Sequence, residues 1–179
     1  MFDAHATQEE DKLVLLCALG RLGACTQEQL LRFMVEAQLQ SQFQFLLALA
    51  ELKESGLVRE VMRTEGKLLV LTPEGRQSME LFGARIRASL QQKLEDNVAS
   101  WRGRIREELQ MPADWEETDE GFKVTLRALE AGQEIFSMAL TAATRAQARR
   151  FCERWPAAAP QLYQTIIQRL GESEEETNE

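Results

Sequence analysis

One stretch constrains this chain more than any other: SQFQFLLALAELKESG at 41–56, running directly into LVREVMRTEGKLLVLTPEG. Ser41 suits a helix N-cap, because its hydroxyl accepts from a backbone N–H that the first turn leaves free. Phe45, Leu49 and Leu52 recur at intervals of four and three, which lays them in one apolar stripe. Gly56 fits the left-handed position just past a helix C-terminus. Residues 57–63 and 67–71 are β-prone runs on either side of Thr64-Glu65-Gly66, where the glycine supplies the positive φ of a hairpin turn. The stretch predicts a helix that feeds a two-stranded hairpin.

Upstream, 10–19 holds Leu13, Leu16, Cys17 and Leu19 on one side of an amphipathic helix that should stop at Gly20 and Gly23. Thr26 opens a second helix. Gln29 completes its T-x-x-Q capping box, and Leu30, Phe33 and Met34 form its inner face. Downstream, Thr72-Pro73-Glu74 signals a fourth helix, with an N-cap, a proline at the first helical position and an acid in the first turn. From Ile86 one stripe follows through Leu90, Leu94, Val98, Trp101, Ile105 and Leu109, about 24 residues or roughly 36 Å of helix. It must pack against its own chain or against the same helix of a second copy. Past Met111-Pro112, residues 114–118, 122–129 and 134–141 read as three strands. In the second, Phe122, Val124, Leu126 and Ala128 alternate with Lys123, Thr125 and Arg127. Thr144 caps a helix that Pro156 should stop, and Pro160 starts a last one.

A helix ending in LKESGLV and feeding a hairpin is the pattern of a winged-helix domain, whose third helix enters a DNA groove and whose hairpin is the wing. The expected class is α+β. An N-terminal winged helix-turn-helix spans 1–85, a long connecting helix 86–110, and a small antiparallel sheet with two helices 111–171. The acidic run at 172–179 is expected to be a disordered tail.

With 44% hydrophobic and 28% charged residues, the composition is that of an ordinary globular protein. No apolar run approaches the roughly 20 residues of a membrane helix, and MFDAHATQEED does not read as a signal peptide, so a cytoplasmic protein without membrane contact is expected. Cys17, Cys25 and Cys152 sit among apolar neighbours without CxxC spacing and read as reduced packing thiols. The one histidine, His5, falls in a polar leader, so no Ser–His or Cys–His arrangement is expected. Asp114, Glu116, Glu117, Asp119 and Glu120 lack calcium-loop spacing and read as a solvated strand edge and turn. An enzyme is not expected, nor a cofactor or metal. Trp101, Trp115 and Trp155 read as core residues, a pocket between the long helix and the C-terminal sheet being the sharper alternative. Arg145, Arg149, Arg150 and Arg154 read as a solvated helix face.

Five blocks carry a family likeness: the opening Met1-Phe2-Asp3, KLVLLCALGRL, QFQFLLALAELKESGLV, LTPEGRQSMELFGARI and FCERWPAAAPQLYQTIIQRL. In this order they resemble an uncharacterised family of bacterial winged-helix proteins, mostly from Gram-positive species, known as a domain of unknown function. The resemblance implies a winged-helix N-terminal domain, a family-specific C-terminal domain and a role in transcriptional regulation. It brings no ligand and no operator. Relatives tend to be polar in the middle of the third helix, where this chain has Leu46 and Leu47.

The outward positions of that helix are expected at Gln42, Phe43, Gln44, Leu47 and Glu51. Gln42 and Gln44 suit adenine edges. Phe43 and Leu47 offer only apolar contact, and Glu51 repels phosphate. Lys53, Arg59, Arg63 and Lys67 are the cations placed to meet a DNA backbone. Net charge is −8, and residues 1–85 hold 12 acids against 9 bases, a balance of −3. That opposes non-specific DNA affinity, which comes from cations opposite phosphates. Two functions follow. One is a DNA-binding transcriptional regulator on double-stranded DNA, a homodimer through the long helix or the C-terminal domain. The other is a winged-helix protein-interaction module that docks a protein partner through the third helix without binding DNA.

Overall fold

The computed structural model describes residues 4–171, with side chains from Gln8 onward. Met1-Phe2-Asp3 and the acidic run at 172–179 lie outside the described residues. The described residues form a mixed α+β protein with six α-helices and two small antiparallel sheets, one of two strands and one of three. The chain divides into two compact units, 1–106 and 107–179.

The first unit contains α1 (Ala4–Leu22), α2 (Gln27–Glu36), α3 (Gln42–Glu54), β1 (Val58–Arg63), β2 (Gly66–Leu71), α4 (Pro73–Phe82) and most of α5 (Ala88–Gln110). Helix α1 begins at Ala4, earlier than the expected Glu10, so the polar leader is helical from that residue on. The predicted capping box at Thr26 forms, and the Ser41 N-cap proves to be a second one. The Thr26 and Ser41 hydroxyls accept from the backbone N–H groups of Gln29 and Gln44, whose side chains accept the cap N–H in return. Past α3, Leu57 N donates to Leu52 O at 2.9 Å and Gly56 N to Lys53 O at 3.1 Å, with Gly56 at φ 71°. This pair of bonds closes the helix and aims the chain into the hairpin. Strands β1 and β2 pair from Val58↔Leu71 to Arg63↔Gly66. Cys25, between α1 and α2, adds one bridge to the hairpin at Leu69.

On α2 and α3 the core follows the expected stripes, whereas on α1 every residue from Val14 to Leu19 is buried, so that helix is enclosed and not one-sided as expected. Leu30, Phe33, Phe45, Leu49 and Leu52 are buried, each removing a side chain from water for roughly 2 kcal/mol. Helix α4 closes on the α3–β1 turn at Gly75, where an added Cβ would run into the Leu57 carbonyl oxygen. Ile86 precedes α5, but the rest of its stripe lies on that helix. Leu94, Trp101 and Ile105 are buried, with the Trp101 ring edge-on to Phe33 at 5.6 Å between centroids. Leu90, Val98 and Leu109 are half-buried, so the stripe is covered within one chain at some positions and only partly at others.

The second unit holds β3 (Ala113–Thr118), β4 (Gly121–Glu130), β5 (Gln133–Ala142) and α6 (Arg145–Gly171). The strands pair in order, β4 in the middle. Val124, Leu126 and Ala128 point to α6, where Ala148, Trp155 and Ala159 meet them. The Trp155 indole N–H donates to Arg127 O at 2.7 Å, satisfying the ring's polar atom inside the core.

Two expectations fail here. The two C-terminal helices are one, since α6 runs through Pro156 and Pro160. Each proline removes one intrahelical bond. Contacts with the sheet flank both rings, Ala148 and Trp155 before them and Ala159 between them, and hold the axis through the gap. Trp115 is not in the core and is 37% exposed. Its cross-strand partner Val124 is on the α6 side, but β3 is an edge strand that the helix covers incompletely. The Trp115 ring rests edge-on against Phe122, with the Arg145 guanidinium 5.6 Å from its centroid.

Candidate functional site

The residues singled out on α3 and the hairpin separate into three groups. The first is the outer face of α3. The capping box and the buried positions Phe45, Ala48, Leu49 and Leu52 fix the helix rotation, which leaves Gln42, Phe43, Leu46, Leu47, Ala50 and Glu54 outside. Phe43 is 77% exposed, and Leu46 and Leu47 are 44% and 43% exposed. No Lys or Arg stands among them.

The second group is occupied in other bonds. Gln44 Oε1 accepts from Ser41 N at 3.0 Å and Ser41 Oγ at 2.8 Å, and its Nε2 donates to Asp11 Oδ2 at 3.1 Å. Helix α1 thus takes the amide that was assigned to a base edge. Glu51 is half-buried, bonded to Gln8 and ion-paired with Lys12 at 3.3 Å. Lys53 Nζ lies 2.6 Å from Glu60 Oε1 and 3.3 Å from Gln27 Oε1. Lys67 pairs with the other oxygen of Glu60. The hydrogen bonds from Lys53 and then Lys67 hold the Glu60 carboxyl below its ordinary range. One acid therefore engages two of the four expected phosphate contacts and leaves the trio a single net positive charge.

The third group is open. Arg59 and Arg63 are exposed and form no ion pair among the described residues. Alternation along β1 puts both on the face that carries Val61. Arg76 of α4 faces the same cleft, of about 350 Å³, with Glu80 beside it and Leu71 and Met79 among the apolar residues below. Sequence reasoning missed Arg76. Nothing local links it to Arg59, 17 positions earlier; β2 runs straight into α4, and the Thr72 bonds to Gly56 O and Leu57 O with the close seating of Gly75 hold the start of α4 at the hairpin.

Elsewhere, the acidic strand and turn is largely paired: Asp114 with Arg127 at 3.0 Å, Glu116 with Lys123 at 3.2 Å and Glu117 with Arg145 at 3.3 Å. Among the described residues no group of three or more His, Cys, Asp or Glu is placed to hold a metal ion. No helix there is long and apolar enough to cross a membrane. Cys25 is fully buried, and burial pushes its thiol up to about 12.

No curated protein and no solved structure gives a significant match to this chain. Residues 11–170 match a family described as a domain of unknown function, DUF4364, and with most of its length inside that match the chain belongs to this family.

Proposed function

We propose that the first unit is a winged-helix protein-interaction module whose contact surface is the outer face of α3, and that the occupant of this face is a second copy of the chain. The winged-helix reading draws support from the order of three helices and a hairpin, and from the bridge that ties the α1–α2 connection to β2. The observation that carries the proposal is the exposure of Phe43, Leu46 and Leu47 where a groove-reading helix would carry polar or basic groups. Apart from Glu54 at its far end, this face has no charged residue, so two copies facing one another meet little like-charge repulsion. The long helix is a poorer route to a dimer, because the middle of its stripe is already buried.

Light scattering over a wide concentration range tests this reading. A mass that rises from the 20.4 kDa monomer toward twice that value, and no longer rises after Phe43→Glu or Leu47→Glu, is expected. A monomer at every concentration would remove the proposal.

Double-stranded DNA is the second reading, favoured by the open Arg59 and Arg63 on the hairpin. Anisotropy with a mixed-sequence duplex at low salt tests it. A DNA binder would lose affinity steeply with salt, and changing Arg59, Arg63 and Lys67 to Ala would flatten that slope.

A further inference from the structure

We infer that the cleft holding Arg59, Arg63 and Arg76 is a binding site for a small phosphate monoester with an apolar body. The site is distinct from the α3 face and does not depend on the proposal above. Most cations in the first unit that pack near an acid are paired with it, as Lys12, Lys53, Lys67 and Arg87 are. Among the described residues these three arginines have no ion pair, although Glu80 shares their cleft. Unneutralised guanidiniums gathered on one concavity repel each other, and a bound anion relieves that repulsion. Guanidinium donors also match the oxygens of a phosphate in planar pairs, which a lysine cannot do.

Charge and shape narrow the ligand. Three guanidiniums and one carboxylate leave two positive charges, which a monoester dianion cancels and a single phosphodiester group does not. A monoester is largely dianionic above its second pKa of about 6. The cleft is concave and, at about 350 Å³, of a size for a small molecule. Its floor includes Leu71 and Met79, so the ester's organic part lies on apolar surface while the phosphate meets the arginines. Duplex DNA would meet the hairpin from outside and present diesters. Gly20 keeps the floor at this depth, since a Cβ there would run into the Met79 sulfur.

Titration calorimetry with phenyl phosphate at pH 7.5 and low salt reads the site directly, with methyl phenyl phosphate as the monoanionic control of similar shape. Saturable binding at one site per chain is expected, at least tenfold weaker for the diester. Arg59→Gln and Arg76→Gln should each weaken it about tenfold or more, with unchanged thermal midpoints. Glu80→Gln should tighten it, and Lys67→Gln, outside the cleft, should leave it unaltered. Binding should also weaken as pH falls below about 6. No heat at 10 mM phenyl phosphate, equal affinity for the diester, or full affinity in Arg76→Gln would each overturn the inference. So would displacement of phenyl phosphate by stoichiometric duplex DNA, which would make the arginines backbone contacts.

Discussion

Two helices of the first unit end in the same way with different residues at the critical position. After α3 the left-handed residue is Gly56, at φ 71°. After α2 it is Gln38, at φ 52°, where Leu39 N donates to Met34 O at 2.9 Å and Gln38 N to Val35 O at 3.0 Å. A side chain in this conformation crowds the backbone, and glycine does not. Gln38→Gly should therefore stabilise the protein by roughly 0.5–1 kcal/mol, and Gly56→Ala should destabilise it by about 1 kcal/mol. Chemical denaturation of both variants checks the pair. If both move stability in the same direction, backbone conformation is not what distinguishes these caps. The Gln38 carbonyl also accepts from Lys93 Nζ at 3.2 Å, a bond the glycine variant keeps.

At the scale of elements, the tie between α1 and the start of α5 carries a pH dependence. Glu10 takes hydrogen bonds at one oxygen from Arg87 N at 3.0 Å and Nε at 2.9 Å. Burial pushes its carboxyl up, but the side-chain and backbone bonds and the charge of Arg87 outweigh that and hold it below its ordinary value. A carboxyl depressed in the folded state stabilises that state above the unfolded pKa of about 4.3, and the benefit disappears as pH falls through the lower folded value. Glu10→Gln should cost about 1 kcal/mol at pH 7, a modest figure because Arg87 is largely exposed. The difference from the parent should close in strongly acidic solution. Asp11 next to it is the opposite case. Burial pushes its carboxyl up against the lowering bond from Gln44, so its ionisation opposes folding as pH rises through the raised value. Asp11→Asn, which keeps an acceptor for Gln44, should gain stability on the parent over that window. Denaturation curves of both variants against pH give the two signs independently.

The same elements show which parts of the molecule could be read from order along the chain. Caps, turns and strand alternation depend on neighbours within four residues, so the Thr26 box, the Ser41 and Gly56 caps and the β4 pattern were legible. Pro156 misled because its local cost was visible and the sheet contacts that offset it were not. The site divides in the same way. The exposure of Phe43 and Leu47 follows from helical period, whereas the loss of Gln44 to Asp11 and of Lys53 and Lys67 to Glu60 needs contacts across 33, 7 and 7 positions. Arg76 joins Arg59 and Arg63 through the seating of α4 on the α3–β1 turn, which the order of residues does not show.

Across the whole molecule, each unit has its own core, and each core includes a thiol that reports on it. Cys25 is fully buried at the bridge to Leu69, and its thiolate is strongly disfavoured by burial. Alkylation requires both access and the thiolate, so Cys25 should react only when the first unit opens. Cys152 packs half-buried beside the Val124–Trp155 core of the second unit. Burial raises its thiol as well, and Asp114 adds to that, but the sulfur retains partial access. In native buffer at pH 8, iodoacetamide should modify Cys152 first, and Cys25 should react no faster than amide exchange from the core of α2 and α3. Peptide mass spectrometry over time resolves the two. Adding denaturant should bring the Cys25 rate up in step with loss of the α2–α3 exchange protection. Alkylation of Cys25 as fast as Cys152 without denaturant would mean that the α1–α2 connection detaches from β2 while its unit stays folded, and the bridge that supports the winged-helix reading would then be no fixed part of the fold.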